Sequence, residues 1–397
     1  MKEPALKREQ MADSSPAVIA LSGMVALAMA MGIGRFAFTP MLPMMQVDAG
    51  ISVAAGGWLA SANYVGYLLG ALSAMRLPIG SAGAIRGGLI TIVLTTLLMG
   101  FTNSFALWIA LRALAGIASA WVLIFVSAWS LEKLTPLRRP LLSAIVFGGV
   151  GFGIALAGFI CLVLMQLQVS SARAWTILAA FALALAILPW REFSPQSQPV
   201  VHRTDTTSTG IRWTIDSTLM VLCYGAYGFG YIIPATFLPA MAKQLIHDPA
   251  VFGWSWPVFG LAAFLSTLAV SVLQKRIGNR TLWIASALAM ALGVAVPVVF
   301  PGITAIMLAA LLVGGTLVVI TMIGIQEARV AGGPQAPKLI AAMTTAFAVG
   351  QIAGPISVSG LAHARNGFSI ALLVASALLT LSAAALYWGH SRNRRKE

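Results

Sequence analysis

The chain has 397 residues, of which 59% are hydrophobic and 9% charged, and its formal net charge is +14. This composition, with a mean hydropathy of +0.90, excludes an ordinary soluble protein, which would expose far more charged side chains. The basic excess is spread over many short segments rather than one face, so it indicates membrane topology and not nucleic-acid binding.

Long apolar segments recur along the chain and predict twelve transmembrane helices of about 20 residues each. In chain order they are 17–45, 52–75, 89–102 (reaching spanning length if it begins near 85), 105–131, 141–165, 174–190, 215–241, 252–274, 282–300, 303–325, 339–361 and 368–388. We therefore predict an all-α membrane protein. Its predicted parts are an N-terminal tail (1–16), a six-helix bundle (17–190), a polar linker (191–212), a second six-helix bundle (213–390) and a basic tail (391–397).

Charge placement supports this count. If the N-terminus is cytoplasmic, the inner segments hold 20 of the 25 Lys and Arg residues and the outer segments hold Arg173, Lys243 and Arg365, as the positive-inside rule requires. We predict a multi-pass membrane protein with both termini and the linker in the cytoplasm. The two remaining basic residues, Arg35 and Arg112, lie inside predicted helices.

The two halves repeat each other. A shift of 196 residues aligns rare features of helices 1 and 2 with those of helices 7 and 8: Gly32 with Gly228, Gly34 with Gly230, Pro43 with Pro239, and Gly57-Trp58 with Gly253-Trp254. Internal repeats of this kind define transporter architectures. Glycines and prolines surround position 35 and its equivalent 231, and they predict interruptions in both helices.

The phrases "GIGRFAFTPMLPMM", "GGWLASANYVGYLLGAL" and "FGGVGFGIALAGF" resemble signature stretches of the YbfB/YjiJ-type branch of the major facilitator superfamily. The resemblance covers essentially the whole chain. It implies the major facilitator fold of two pseudo-twofold-related bundles, secondary transport by alternating access, and a place in a bacterial inner membrane. It also implies that helices 1, 4, 7 and 10 line a central cavity, which Arg35 and Arg112 would then face.

A spanning helix tolerates an arginine only at a cost of about 2.5 kcal/mol or more, so such a residue is expected to face a cavity or a partner. Tyr224, Tyr227 and Tyr231 share one face of helix 7 by their spacing. An arginine opposite tyrosine hydroxyls suits a small organic anion. The competing interpretations are that the arginines clasp helices together and that the tyrosines only pack. Weaker candidates for the substrate site are Asn63 and Tyr67 in helix 2 and Gln351 in helix 11.

The acidic residues lie near helix ends, so the sequence does not decide how transport is coupled to energy. The substrate itself could carry a proton, an acid at a helix end could carry it, or transport could be facilitated or driven by exchange. Candidate gating pairs at the cytoplasmic face are Glu132 and Glu327 with Arg76, Arg276 or Arg280, although exposed pairs contribute only about 0–1 kcal/mol each.

No phosphate-binding loop for ATP and no cluster of catalytic side chains at membrane depth is present in the sequence. We therefore predict a non-enzymatic, monomeric transporter without cofactor or metal, whose partners are a small-molecule substrate, the lipid bilayer and a coupled proton if one is used. The alternatives are proton-linked efflux of amphipathic compounds and, in another class, a transporter-like sensor that binds its ligand without moving it.

Overall fold

The computed structural model describes residues 15–74, 80–137, 139–194, 213–246, 248–274, 276–361, 364 and 367–394. In this part of the chain, helices occupy all twelve predicted positions. They are α1 Pro16–Asp48, α2 Val53–Ala74, α3 Ser81–Met99, α4 Phe105–Leu134, α5 Pro140–Gln166, α6 Ser171–Ile187, α7 Ile215–Leu245, α8 Ser255–Leu273, α9 Asn279–Val299, α10 Ile303–Gly332, α11 Ala336–Leu361 and α12 Gly367–Arg394. These residues contain no β-strand, and the all-α prediction is confirmed.

Ten of the twelve helices are long and apolar enough to cross a membrane. The other two are α2, with 22 residues, and α6, with 17. Helix α2 contains four Gly, two Tyr, Trp58 and Asn63, which lower its hydropathy. Its small residues also let neighbouring backbones approach closely. The count of twelve spans, like the boundaries of the two bundles, stays a prediction, and most of the predicted linker lies outside the described residues.

Several helix ends differ from the sequence prediction. Helix α3 begins at Ser81, before the Gly87-Gly88 pair that the hydropathy pattern treated as a boundary. In an apolar surrounding every backbone polar group needs an internal partner, so a helix continues through glycines that would weaken it in water. Helices α4 and α12 also continue past the predicted apolar runs, through polar residues, to Leu134 and Arg394.

The predicted interruption of helix 1 takes the form of a π-helical segment, Ala28–Phe36, between two α-helical parts. The predicted interruption of helix 7 is wrong: α7 is α-helical from Ile215 to Leu245, with Pro234 and Pro239 inside it. A proline removes one N–H and leaves the carbonyl four residues earlier free, and here the helix continues past that missing bond.

The helix pairs repeat between the halves. Helix α1 packs on α5 and α2 on α4, while their counterparts α7 and α8 pack on α11 and α10. The halves meet where α5 packs on α8 and α2 on α11, two contacts that the pseudo-twofold axis exchanges, and where α1 meets α7. We call the end of the bundle that holds the start of α1 the proximal end, and the end that holds Asp48 the distal end.

Gly116 marks the closest approach of α4 to α2. A Cβ atom at Gly116 would overlap the carbonyl oxygen of Asn63 and lie 2.8 Å from the backbone nitrogen of Tyr67. Because both neighbours are backbone, they cannot move aside as a flexible side chain would. We expect Gly116→Ala to lower the free energy of unfolding by about 1–3 kcal/mol, measured as a lower melting temperature in detergent.

The matched control is Gly83→Ala in α3, where no atom lies within 4 Å of the added methyl group. This variant is expected to keep or slightly raise the melting temperature, because alanine favours a helix over glycine by about 1 kcal/mol. Equal melting temperatures for the two variants would contradict the close approach of α2 and α4.

Candidate functional site

Arg35 lies at the centre of the fold, in the π-helical segment of α1. The residue is 3% exposed, and its Nη2 donates a hydrogen bond of 3.5 Å to the hydroxyl of Tyr231. The guanidinium carbon lies 4.2 Å from the ring centre of Tyr67 and 5.1 Å from those of Phe36 and Tyr64. Cation–π contacts of this kind stabilise a buried cation by about 0.5–2 kcal/mol each. Arg35 is therefore held by aromatic rings and one hydroxyl.

Arg112 of α4 binds two backbone carbonyls at the end of the π-helical segment. Its Nη1 donates to the Gly34 carbonyl at 3.3 Å and its Nη2 to the Arg35 carbonyl at 2.9 Å. Pro40 has no N–H, so the donor that π-helical spacing would offer to the Arg35 carbonyl does not exist. Arg112 thus fixes the backbone from which the Arg35 side chain projects.

Two further side chains donate hydrogen bonds to carbonyls in the same stretch of α1. Asn63 Nδ2 donates to the carbonyls of Arg112 at 2.9 Å and Gly34 at 3.4 Å. Ser119 Oγ lies 2.9 Å from the Ala30 carbonyl. The π-helical segment is therefore held by donors from both α2 and α4, which favours a positioning role for Arg112 and Asn63.

Two pairs of residues related by the 196-residue repeat touch each other. One is Arg35 with Tyr231. The other is Thr39, whose hydroxyl donates to the Ala235 carbonyl at 2.6 Å, the carbonyl that Pro239 leaves free. Two equivalent residues can meet only close to the axis that relates them. Arg35 consequently lies close to the pseudo-twofold axis, where the two halves meet.

The second half supplies an aromatic wall. The ring of Phe347 in α11 lies nearly parallel to that of Tyr231, with 5.6 Å between centroids, and Tyr227 also stacks on Tyr231, at 5.2 Å. Tyr224 extends the wall toward the proximal end and contacts Phe347 at 5.3 Å. Gln351 Nε2 donates to the Tyr231 hydroxyl. Flat apolar faces and a hydroxyl thus stand beside the guanidinium group of Arg35.

Four buried polar atoms around this centre have no hydrogen-bond partner: Arg35 Nε, Arg112 Nε, Asn63 Oδ1 and Gln351 Oε1. Buried polar groups are nearly always paired, by water where no protein group is near, so this cluster makes the centre a candidate binding site. Neither Arg35 nor Arg112 forms an ion pair with a carboxylate of the described residues. The centre of the molecule consequently carries two uncompensated positive charges.

The distal side of this centre is closed by contacts between the halves. Tyr64 and Thr236 share a hydrogen bond of 3.0 Å, and Lys243 Nζ donates to the Pro43 carbonyl at 2.9 Å. Helix α2 meets α11 where Ser359 Oγ donates to the Ala54 carbonyl at 2.9 Å. These contacts join the two halves between the centre and the distal surface.

On the proximal side, two aromatic residues of the centre keep part of their surface exposed. They are Tyr67, one helical turn beyond the buried Asn63, and Phe347, one turn before the buried Gln351. The site is therefore less enclosed toward the proximal end than toward the distal end.

The predicted substrate residues come together as a group: Arg35, Arg112, Tyr231, Tyr227, Tyr224, Asn63, Tyr67 and Gln351 all lie in or beside this centre. The hydroxyl of Tyr227 is engaged by the Leu317 carbonyl at 2.6 Å and Thr321 at 3.0 Å. The role of the whole group in binding stays a prediction.

The sequence prediction missed Tyr64 and Phe347. The signal was available, because Tyr64 precedes Tyr67 by three residues and Phe347 precedes Gln351 by four, spacings that place each pair on one helix face.

Of the predicted gating pairs, Glu327 lies 3.8 Å from Arg280. Both residues belong to the second half, and Arg280 also pairs with Asp216 at the start of α7, a partner that the sequence prediction did not assign. Glu132 and Arg276 are exposed, and Arg76 lies outside the described residues. The Arg280 pairs join α7, α9 and α10 within one half, so a gating role for these groups stays a prediction.

Comparison with known proteins agrees with this architecture. A family model described as "Uncharacterised MFS-type transporter YbfB" matches residues 27–387. The chain is 25% identical over 263 residues to the uncharacterized MFS-type transporter YceJ of Bacillus subtilis (strain 168), a match that covers 62% of this chain and 64% of that protein. The chain thus spans less than two thirds of the length of that relative.

Among solved structures, the fold resembles that of a mutant of the nucleoside transporter NupG, with a TM-score of 0.70 at 14% sequence identity. The match covers 93% of this chain and 99% of that one. At this level of identity the likeness concerns the fold alone.

Proposed function

Because the chain belongs to the family of uncharacterised MFS-type transporters described by YbfB, we propose that it moves a small organic anion across the membrane by alternating access. The observation that carries this proposal is the buried guanidinium group of Arg35. Among the residues that the structure describes, it contacts only neutral side chains and its Nε has no partner. A carboxylate would bind that planar donor and supply the missing negative charge.

The shape of the site favours an anion with a flat apolar body. The Tyr231 hydroxyl stands beside Arg35, and the parallel rings of Tyr231 and Phe347 offer flat surfaces nearby. Ligand sites typically combine apolar walls with a few polar groups that fix orientation. In this proposal Arg35 holds the carboxylate, the rings contact the body of the substrate, and Arg112 keeps the Arg35 backbone in place.

The orientation follows from the basic residues. We propose that the proximal end faces the cytoplasm of a bacterial inner membrane and that the structure is the inward-facing state. Substrate would then enter or leave past Tyr67 and Phe347, while the contacts between α2 and α11 close the outer side.

The substrate class can be tested with three probes that share one ring and differ in charge: benzoate, benzamide and benzylamine. We expect benzoate alone to raise the melting temperature of the purified protein, because a ligand that binds only the folded state stabilises it. The shift should disappear in Arg35→Gln and persist in Arg173→Gln, which removes an exposed arginine far from the site.

Two other outcomes would replace a part of this proposal. Stabilisation by benzylamine and other amphipathic cations would replace the organic-anion proposal by efflux of amphipathic compounds. Binding of benzoate without uptake of radiolabelled benzoate into proteoliposomes would replace transport by ligand sensing.

The topology is tested separately. Single cysteines at Ser197 and Ser208 in the linker are expected to react with an impermeant maleimide only from the cytoplasmic side, in inside-out vesicles. The native Cys161 and Cys223 are buried and should give little background labelling. Labelling of either introduced cysteine in intact cells would overturn the proposed orientation.

A further inference from the structure

The charge of Arg35 constrains how the carrier can cycle. Its guanidinium group contacts the Tyr231 hydroxyl and three aromatic rings, all of them neutral. Arg112 binds the carbonyl of the same residue and adds a second positive charge. The empty site is therefore a buried cation without a counter-ion, an arrangement that low-dielectric surroundings penalise strongly.

The described residues offer no acid at this depth to cancel that charge. Their carboxylates all lie at or near helix ends or in loops: Asp48, Glu132, Glu192, Asp216, Asp248 and Glu327. Asp48 accepts a hydrogen bond from the backbone of Ser171, and Asp216 and Glu327 pair with Arg280. Proton release from a carboxylate beside Arg35, which would neutralise the site when it is empty, is thus excluded for these residues.

Alternating access requires both sides to close over the site during each reorientation. The distal side is closed already, and closure of the proximal side would remove the remaining exposure of Tyr67 and Phe347. In an empty carrier this step would seal an uncompensated cation away from water. With a bound carboxylate the same step would enclose Arg35 together with a counter-ion, while the charge of Arg112 stays on its two carbonyl acceptors.

We propose that the carrier reorients at a useful rate only when an anion is bound, and that it is therefore an obligatory exchanger of organic anions. One anion enters for each anion that leaves, and neither a proton gradient nor net anion uptake is the main mode. This inference rests on the proposed function, because Arg35 must be the group that holds the anion.

The test uses the purified full-length protein in proteoliposomes with ¹⁴C-labelled benzoate outside. Vesicles preloaded with unlabelled benzoate are compared with vesicles that contain chloride buffer only, and protein-free liposomes and Arg35→Gln vesicles measure the leak. We expect initial uptake to be at least about tenfold faster into the preloaded vesicles. Imposed proton gradients and membrane potentials are expected to leave the rate into chloride vesicles at the leak level.

Uptake into chloride vesicles that matches the exchange rate, or that rises above leak with an inside-alkaline gradient, would overturn obligatory exchange and leave anion transport standing. Absence of both benzoate binding and benzoate uptake would overturn the proposed function, and the exchange inference with it.

A distance measurement tests whether the empty carrier can reorient, without measuring transport. Spin labels at the exposed Val47 of α1 and Leu245 of α7 report the width of the distal side. The empty wild-type protein is expected to show one short distance, and benzoate should add a longer one. Arg35→Gln should show the longer distance without benzoate, because its empty site keeps only the charge of Arg112, which two backbone carbonyls accept. Two distances in the empty wild-type protein would contradict the inference.

Discussion

Arg35→Lys is expected to weaken benzoate binding by about 1–3 kcal/mol while the protein stays folded, because lysine keeps the charge and loses the planar pair of donors. Arg35→Gln should weaken binding further. Tyr231→Phe should cause a smaller loss, and its effect should be non-additive with that of Arg35→Lys, since the Tyr231 hydroxyl is hydrogen-bonded to Arg35 and both would contact one ligand. Binding is measured by calorimetry and stability by thermal melting on the same preparations.

A structural clasp at position 35 predicts the opposite pattern. The melting temperature of Arg35→Lys would fall, and the affinity of the molecules that remain folded would be unchanged. Full affinity for benzoate in a well-folded Arg35→Gln protein would end the assignment of Arg35 to the anion site.

Arg112→Gln is expected to lower the free energy of unfolding by about 1–3 kcal/mol, because the Gly34 and Arg35 carbonyls lose their charged donor in a buried place. Benzoate affinity should fall as well, through the altered position of Arg35 rather than through a lost ligand contact. Arg112→Lys, which can donate to one carbonyl at a time, should lie between the wild type and Arg112→Gln in melting temperature.

The benzoate affinity of a double variant distinguishes a positioning role of Arg112 from a direct contact with the anion. If Arg112 only positions Arg35, the double variant Arg35→Gln/Arg112→Gln should bind benzoate no more weakly than Arg35→Gln alone, since the group that Arg112 positions is already gone. A further loss of affinity in the double variant would show that Arg112 itself contacts the anion.

The sequence predicted the helix positions well because apolar runs and basic loops report directly on the membrane. It located the centre of the site through one rare feature, an arginine within an apolar helix, and through the repeat, which placed Tyr231 in the equivalent position. The contact between Arg35 and Tyr231 depends on how closely the two halves approach, and no pattern within either helix carries that distance.

The sequence also could not predict that the irregularity in α1 is a π-helical segment. Glycines and prolines surround both position 35 and position 231, yet only α1 of these two helices contains a π-helical segment in the part of the chain that the structure describes. Two differences accompany it. Arg112, Asn63 and Ser119 of other helices donate to carbonyls of α1, and Pro40 of α1 corresponds to Thr236 of α7.

The meeting of positions 35 and 231 on the axis also bears on how such a molecule can arise from one repeated unit. In a dimer of identical halves, each residue at this point would face its own copy. Two arginines at 3.5 Å would repel by about 5 kcal/mol at an effective dielectric constant of about 20, and two tyrosines would carry no charge at all. A single positive charge on the axis therefore requires halves that differ, which a chain encoding both halves in one polypeptide permits and a symmetric homodimer does not.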